Sequence, residues 1–175
     1  MMRIAVLNFE EPWLVIVSTS LIRGLKKAYP HAQIIFFVNQ ESEILLRYDR
    51  DIETVNGYTT DNMIFDIVIN LSPTLEASNL CQNLEANIKY GFIDRNSHVC
   101  AIDKSAQDYY ESVFANKTTK KCILQLIYRV ANLKWHGEGY KLNYYPKNKT
   151  CRSDTGIVVE DDVLREYVKS NLKLS

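Results

Sequence analysis

Two adjacent carboxylates, Glu10 and Glu11, stand directly behind a short apolar run and are the sequence's leading candidates for proton-transfer chemistry. A carboxylate within hydrogen-bond reach of an acceptor hydroxyl takes its proton as the oxygen becomes nucleophilic, a contribution of roughly a hundred- to ten-thousandfold. The bland alternative is a solvated loop. Asn8 precedes the pair in the same loop. A second polar group, Ser72 and Thr74 around Pro73, follows another apolar run. A hydroxyl before proline reads as a helix start with Ser72 at the N-cap, and the free amides there favour an anionic or hydroxyl-rich ligand. Ser72 could equally do nothing beyond capping its own helix. Arg95 and Asn96, with His98, follow a third apolar run. They are candidate substrate contacts, or simply polar surface.

Other chemistries are disfavoured. Neither GxGxxG nor GxxxxGK[ST] occurs, so the usual phosphate cradles are missing, and no cofactor is expected. Cys81, Cys100, Cys122 and Cys151 form no CxxC pair, and HGEG offers one histidine and one carboxylate, so no metal is expected. Cys81 and Cys122 read as reduced core thiols on apolar helix faces. The formal charge is zero and no single-sign patch stands out, which argues against nucleic acid as a partner. No apolar run reaches membrane-spanning length and the amino terminus lacks the pattern of a signal peptide, so the cytoplasm is the expected location.

The elements that must position these groups follow from periodicity. Residues 4–9 form an apolar run suited to a strand buried on both faces. Leu14, Ser18, Leu21, Ile22, Leu25 and Ala28 then recur at helical spacing until Pro30, and residues 33–38 give a second strand. This is a βαβ unit of a parallel sheet. Further on come a short helix with Ile44, Leu45 and Tyr48 inward, a brief strand over 52–58, and a strong strand centred on Ile67, Val68 and Ile69. The helix after Ser72 carries Ala77, Leu80, Cys81, Leu84 and Ile88, and a strand over 90–93 follows. Helices are expected over 104–114 and 119–133, the second with Cys122, Ile123, Leu126, Ile127, Val130 and Leu133 inward. The fold class is α/β, a Rossmann-like parallel sheet of about five strands with helices on both faces. Ligands of such sheets sit beyond the carboxyl ends of the strands, so loops 8–13 and 72–74 should lie side by side.

RIAVLNF with the following LIRGLKKAYPHAQIIFFV, then FDIVINLSPTLEASNL and KYGF, resembles the family 9 glycosyltransferases, the ADP-heptose:lipopolysaccharide heptosyltransferases and relatives. That family has Gly-Asp after the first strand, with the Asp proposed as catalytic base; Trp13 and Leu14 stand at those positions here. Glu10 and Glu11, three or four residues earlier, could substitute as the catalytic carboxylates if the loop folds back. Asn8, Ser72, Thr74, Arg95 and Asn96 would be the substrate contacts. The resemblance implies the acceptor-side half of a GT-B glycosyltransferase, with residues 1–135 as the domain, 136–160 as an irregular connection and 161–175 as a helix leading to a second half. Its implied partners are a glycan or lipid-linked sugar acceptor and, only with a second domain or chain, a nucleotide-sugar, with peripheral membrane association. The competing reading is a non-catalytic binding or assembly module that kept the fold and lost the base. A flavodoxin-like or response-regulator domain fits the alternation of elements, but this sequence lacks an acidic cluster ending the first strand and followed by a phosphorylatable Asp, and its tail fits that fold poorly.

Overall fold

A computed structural model describes residues 1–58 and 63–140. The connection beyond residue 140, the helix expected over 161–175 and Cys151 lie outside the described residues. The chain runs β1 (Arg3–Leu7), α1 (Pro12–Ser18), α2 (Ser20–Ala28), β2 (Gln33–Val38), α3 (Gln40–Leu46), β3 (Glu53–Asn56) and β4 (Ile64–Asn70). It continues through α4 (Leu75–Asn83), β5 (Glu85–Asp94), β6 (Val99–Ala101), α5 (Lys104–Val113) and α6 (Ile123–Val130).

The strands form one sheet in the order β3-β2-β1-β4-β5-β6. All neighbours are parallel except β5 and β6. The chain therefore winds outward one way from β1 to β3 and the other way from β4, leaving a switch point between β1 and β4. A flavodoxin-like sheet would have its strands in a different order. Alternate residues of β1 feed two cores, which is why its sequence is apolar without interruption. Ile4 and Val6 pack with Phe36, Ile67, Ile69, Leu25, Tyr109 and Tyr128, while Ala5 and Leu7 pack with Phe37, Val68, Leu80 and Cys81. Each of the valine, leucine, isoleucine and phenylalanine side chains among them stabilises the fold by about 1.5–3 kcal/mol relative to exposure.

Several local expectations are corrected. The single helix expected over 14–28 is two, because the Ser18 hydroxyl donates to the Val15 carbonyl (2.7 Å) and Thr19 Oγ1 donates to that of Ile16 (2.6 Å). Such back-bonding competes with the helical ladder and bends it. Ala28 is exposed at the end of α2. In α3 the inward residues are Leu45 and Leu46, not Ile44 and Tyr48, since Asn39 caps the helix at Ser42 and fixes its phase. The helix after Ser72 ends at Asn83, and Ile88 lies in β5, 45% exposed. Cys122 is exposed at the N-cap of α6 rather than buried.

Helix α6 is seated against α2 by one large side chain. The Tyr128 hydroxyl donates to the Ser20 carbonyl (2.6 Å), and its ring covers Gly24 so closely that a Cβ there would lie 2.6 Å from Cε1.

Candidate functional site

Loops 8–13 and 71–74 meet at the switch point, at the carboxyl edge of the sheet. The Leu71 amide donates to the Leu7 carbonyl (2.9 Å), and the Phe9 amide donates to Ser72 Oγ (2.8 Å). Three asparagines at strand ends fix this edge. Asn8, wholly buried after β1, donates through Nδ2 to the Leu14 carbonyl (3.3 Å) and Ser18 Oγ (3.0 Å) and accepts from the Glu10 amide (3.3 Å). Asn39, after β2, donates to the carbonyls of Phe9 (3.4 Å) and Glu10 (3.2 Å) while capping α3. Asn70, ending β4, accepts from the Ser72 amide (2.9 Å) and donates to the Phe92 carbonyl (2.8 Å). Each supplies the donor and acceptor that a chain leaving a buried strand needs for its own backbone groups.

Ser72 is not the helix cap. Thr74 is, accepting from the Ala77 amide at 3.3 Å. The Ser72 side chain is instead turned into the junction between the two loops, where it receives the Phe9 amide and faces Glu10.

Glu10 is half-buried in this junction, and burial pushes its carboxyl above the ordinary carboxylate value. The Ser72 hydroxyl works in the opposite sense, and the negative charge of Glu11 adds to the rise. Among the described residues, Glu10 Oε1 is sealed from solvent with no hydrogen-bond partner. Two tyrosines respond to its charge. Tyr58, stacked on Phe9 with ring centroids 4.2 Å apart, is raised by burial, then by Glu76 and Glu10. Tyr109 is wholly buried, its hydroxyl without a partner among the described residues, and is raised by burial and then by Glu10. A partly buried carboxyl raised in this way, in a junction between two loops, is a candidate for general acid–base work.

The other expected site residues divide. Glu11 is exposed, accepting from Trp13 Nε1 at 3.0 Å on the outer side of the loop. Arg95 and Asn96 form the exposed tip of the β5–β6 hairpin, closed by mutual Arg95 and His98 backbone bonds (2.9 and 3.2 Å). Arg95 lies four residues past Gly91, the partner of Asn70 in register, hence about 13 Å along an extended strand. Leu14 is 4% exposed and packs in the core, so no carboxylate occupies that position. Sequence reasoning missed Asn39, Asn70 and Tyr58, and read Tyr109 as a packing aromatic without its relation to Glu10; an asparagine ending each of three apolar runs was the available signal.

No group of three or more His, Cys, Asp or Glu side chains converges on a metal-sized site among the described residues. Among the same residues, no helix is long and apolar enough to cross a membrane. A shallow cavity of about 320 Å³ opens at the opposite, amino-terminal edge, between Lys26, His31, Gln33, Arg50 and Glu53. It lies at the other edge of the sheet from the junction, and its polar groups are surface ones.

No protein-family model matches the chain, and no curated protein sequence does. A solved structure that it resembles is the glycosyl transferase family 9 from Veillonella parvula DSM 2008, with a TM-score of 0.54 and 19% identity. The match covers 75% of this chain and 40% of that one. The likeness is one of fold. Two structures of the E. coli heptosyltransferase WaaC, with ADP and with ADP-2-deoxy-2-fluoro heptose, give TM-scores of 0.47 and 0.48 at 10% identity. They cover 69% and 85% of this chain, which spans 50% and 51% of them. The match thus spans 40% of the Veillonella protein and about half of each WaaC chain.

Proposed function

We propose that this chain is the acceptor-binding half of a glycosyltransferase-like protein, with Glu10 as its general base. The observation that carries the reading is the placement of Glu10. It stands at the switch point between β1 and β4, its carboxyl raised by burial and set against the Ser72 hydroxyl. The likeness of fold to the family 9 structure supports the same assignment. In the reaction an acceptor hydroxyl would attack the anomeric carbon of a nucleotide-activated sugar while Glu10 takes its proton. Thr74 and the start of α4 would receive the acceptor's polar groups, with Arg95 and Asn96 as further contacts to a glycan or lipid-linked acceptor. The nucleotide-sugar would be held by a second domain or chain, since much of the rate of such transfers comes from fixing both reactants together.

A specific observation favours a second reading. Leu14, at the position of the family's aspartate, is a core residue, as in a module that binds the acceptor without transferring to it. One experiment separates the two. The chain is combined with a nucleotide-sugar-binding half, and transfer to a lipid-linked sugar acceptor is compared with that of Glu10→Gln. The catalytic reading expects a fall in kcat of roughly a hundredfold or more with acceptor KM little changed. Acceptor binding without transfer establishes the module, and equal turnover in both chains removes Glu10 as the base.

A further inference from the structure

Strand β3 ends at Asn56, and the chain turns at Gly57, whose φ of +87° costs a glycine no strain. The Gly57 amide donates to the Val38 carbonyl (3.0 Å), which fixes the turn at the end of β2, on the carboxyl edge of the sheet. The next residue, Tyr58, stacks on Phe9 of the loop after β1, with ring centroids 4.2 Å apart and planes 24° from parallel. Tyr58 is 47% exposed, so a ring braced on one side by Phe9 keeps much of its surface in water. A braced tyrosine loses little conformational freedom on binding a ligand. Its face carries partial negative charge and attracts the weakly positive C–H groups on the flat side of a sugar ring.

The charge around the stack limits which sugar can dock. Glu76 and Glu10 both act on the Tyr58 hydroxyl, and Glu11 acts on Glu10. Among the described residues, none of these three carboxylates forms an ion pair. Glu76 lies in the first turn of α4, where its charge already offsets the positive end of the helix. A helix start alone suits an anionic or a hydroxyl-rich ligand; this one, with its acidic first turn, suits the hydroxyl-rich ligand. Tyr109 points the same way. Its hydroxyl is wholly buried without a partner among the described residues and lies in the field of Glu10, whose Oε1 is also unpartnered. A hydroxyl can accept from the one and donate to the other, whereas an ionised phosphate or carboxylate oxygen only accepts.

We propose that Tyr58, braced on Phe9, is the platform for a sugar ring of the acceptor, and that this ring carries hydroxyl groups, with or without an amino group, but no phosphate or carboxylate. The proposal rests on the acceptor-binding reading of this edge and names the sugar class that the edge takes.

The test measures binding and involves no transfer. Matched β-1,4-linked trisaccharides of glucose, glucosamine and glucuronic acid are titrated into the full chain. Binding is followed by NMR at the Gly57 amide and at the Trp13 indole in the neighbouring loop. The glucose and glucosamine forms are expected to shift both signals, and the glucuronate form to bind about tenfold more weakly, since like charges then meet. Tyr58→Ala should weaken binding of the glucose form about tenfold, and Tyr58→Phe should retain it. Glu76→Lys should narrow the gap between the glucuronate and glucose forms. Circular dichroism checks that each variant is folded. Equal binding by the parent and Tyr58→Ala, glucuronate binding as tightly as glucose, or a gap unmoved by Glu76→Lys would overturn the proposal and leave the acceptor reading standing. No shift at either signal with any trisaccharide would overturn both.

Discussion

Replacing Gly91 by alanine tests whether the backbone of β4 and β5 sets the geometry of the Glu10–Ser72 junction. Gly91 has φ +93°, and a Cβ built on it would lie 1.8 Å from the Asn70 carbonyl oxygen and 2.8 Å from the carbonyl carbon. Neither atom belongs to a flexible side chain, so β4 or β5 must move. Gly57 is the control: its φ is +87°, and nothing lies within 4 Å of a Cβ there. Both alanine variants carry the left-handed strain of about 1–2 kcal/mol. Only Gly91→Ala adds a steric cost, about 1–3 kcal/mol for forcing a methyl into a packed site. Expected losses are therefore about 1–2 kcal/mol for Gly57→Ala and about 2–5 kcal/mol for Gly91→Ala, against a total stability of about 5–15 kcal/mol. Urea unfolding followed by circular dichroism measures both, with the slope expected to stay constant. Because Asn70 holds the Ser72 amide and Ser72 holds Phe9, the same variant should shift the emission of Trp13 in the neighbouring loop. Equal losses in the two variants, with unchanged Trp13 emission, would refute the argument.

The carboxyl of Glu10 is raised in the folded chain, so the fold binds its proton more tightly than the unfolded chain does. Its contribution to stability is present below the unfolded value of 4.5 and is lost as pH rises through the higher folded value. Glu10→Gln removes that slope, so its stability relative to the parent should rise from acid to neutral pH; parallel urea profiles would contradict the assignment. Ser72→Ala leaves the Phe9 amide without its acceptor and should cost about 1–3 kcal/mol. It should also raise the Glu10 titration further, read by carboxyl-carbon NMR; an unmoved titration would show that the hydroxyl does not act on the carboxylate. Burial lifts the Cys81 thiol to about 12, whereas Cys122 is exposed. A thiol reagent near neutral pH should therefore modify Cys122 in the folded chain and Cys81 only on unfolding, and equal rates would show α4 opening readily.

The parallel sheet was legible because strands buried on both faces must be apolar throughout, and residues 4–7, 34–38 and 67–69 are. The meeting of loops 8–13 and 71–74 followed from direction alone, since both leave parallel strands at one edge. What Ser72 does was not legible. Ser72 and Thr74 are both good caps, and only the Phe9 amide, 63 residues away in sequence, draws Ser72 out of that role. The break at Thr19 had a local signal, three consecutive hydroxyl residues, which the apolar periodicity on either side outweighed. The placement of Arg95 and Asn96 at a hairpin tip was also encoded locally. Asn96 and Ser97 take φ of 55° and 62°, as a two-residue hairpin requires, and asparagine favours that region. Tyr109 could be read as an aromatic facing a core, but nothing along the chain indicates that its hydroxyl lies in the field of Glu10.

The seating of Tyr128 on α2 has a consequence for how the chain is made. Its hydroxyl reaches a carbonyl 108 residues earlier in the sequence. At a synthesis rate of about 5–20 residues per second, α2 is complete some 5–20 s before the residue that covers Gly24 exists. During that interval the nascent chain presents a notch in α2, bordered by Leu21 and Leu25, that only its own later segment fits. The first βαβ unit therefore leaves the ribosome with an unfinished surface that its own later helix completes.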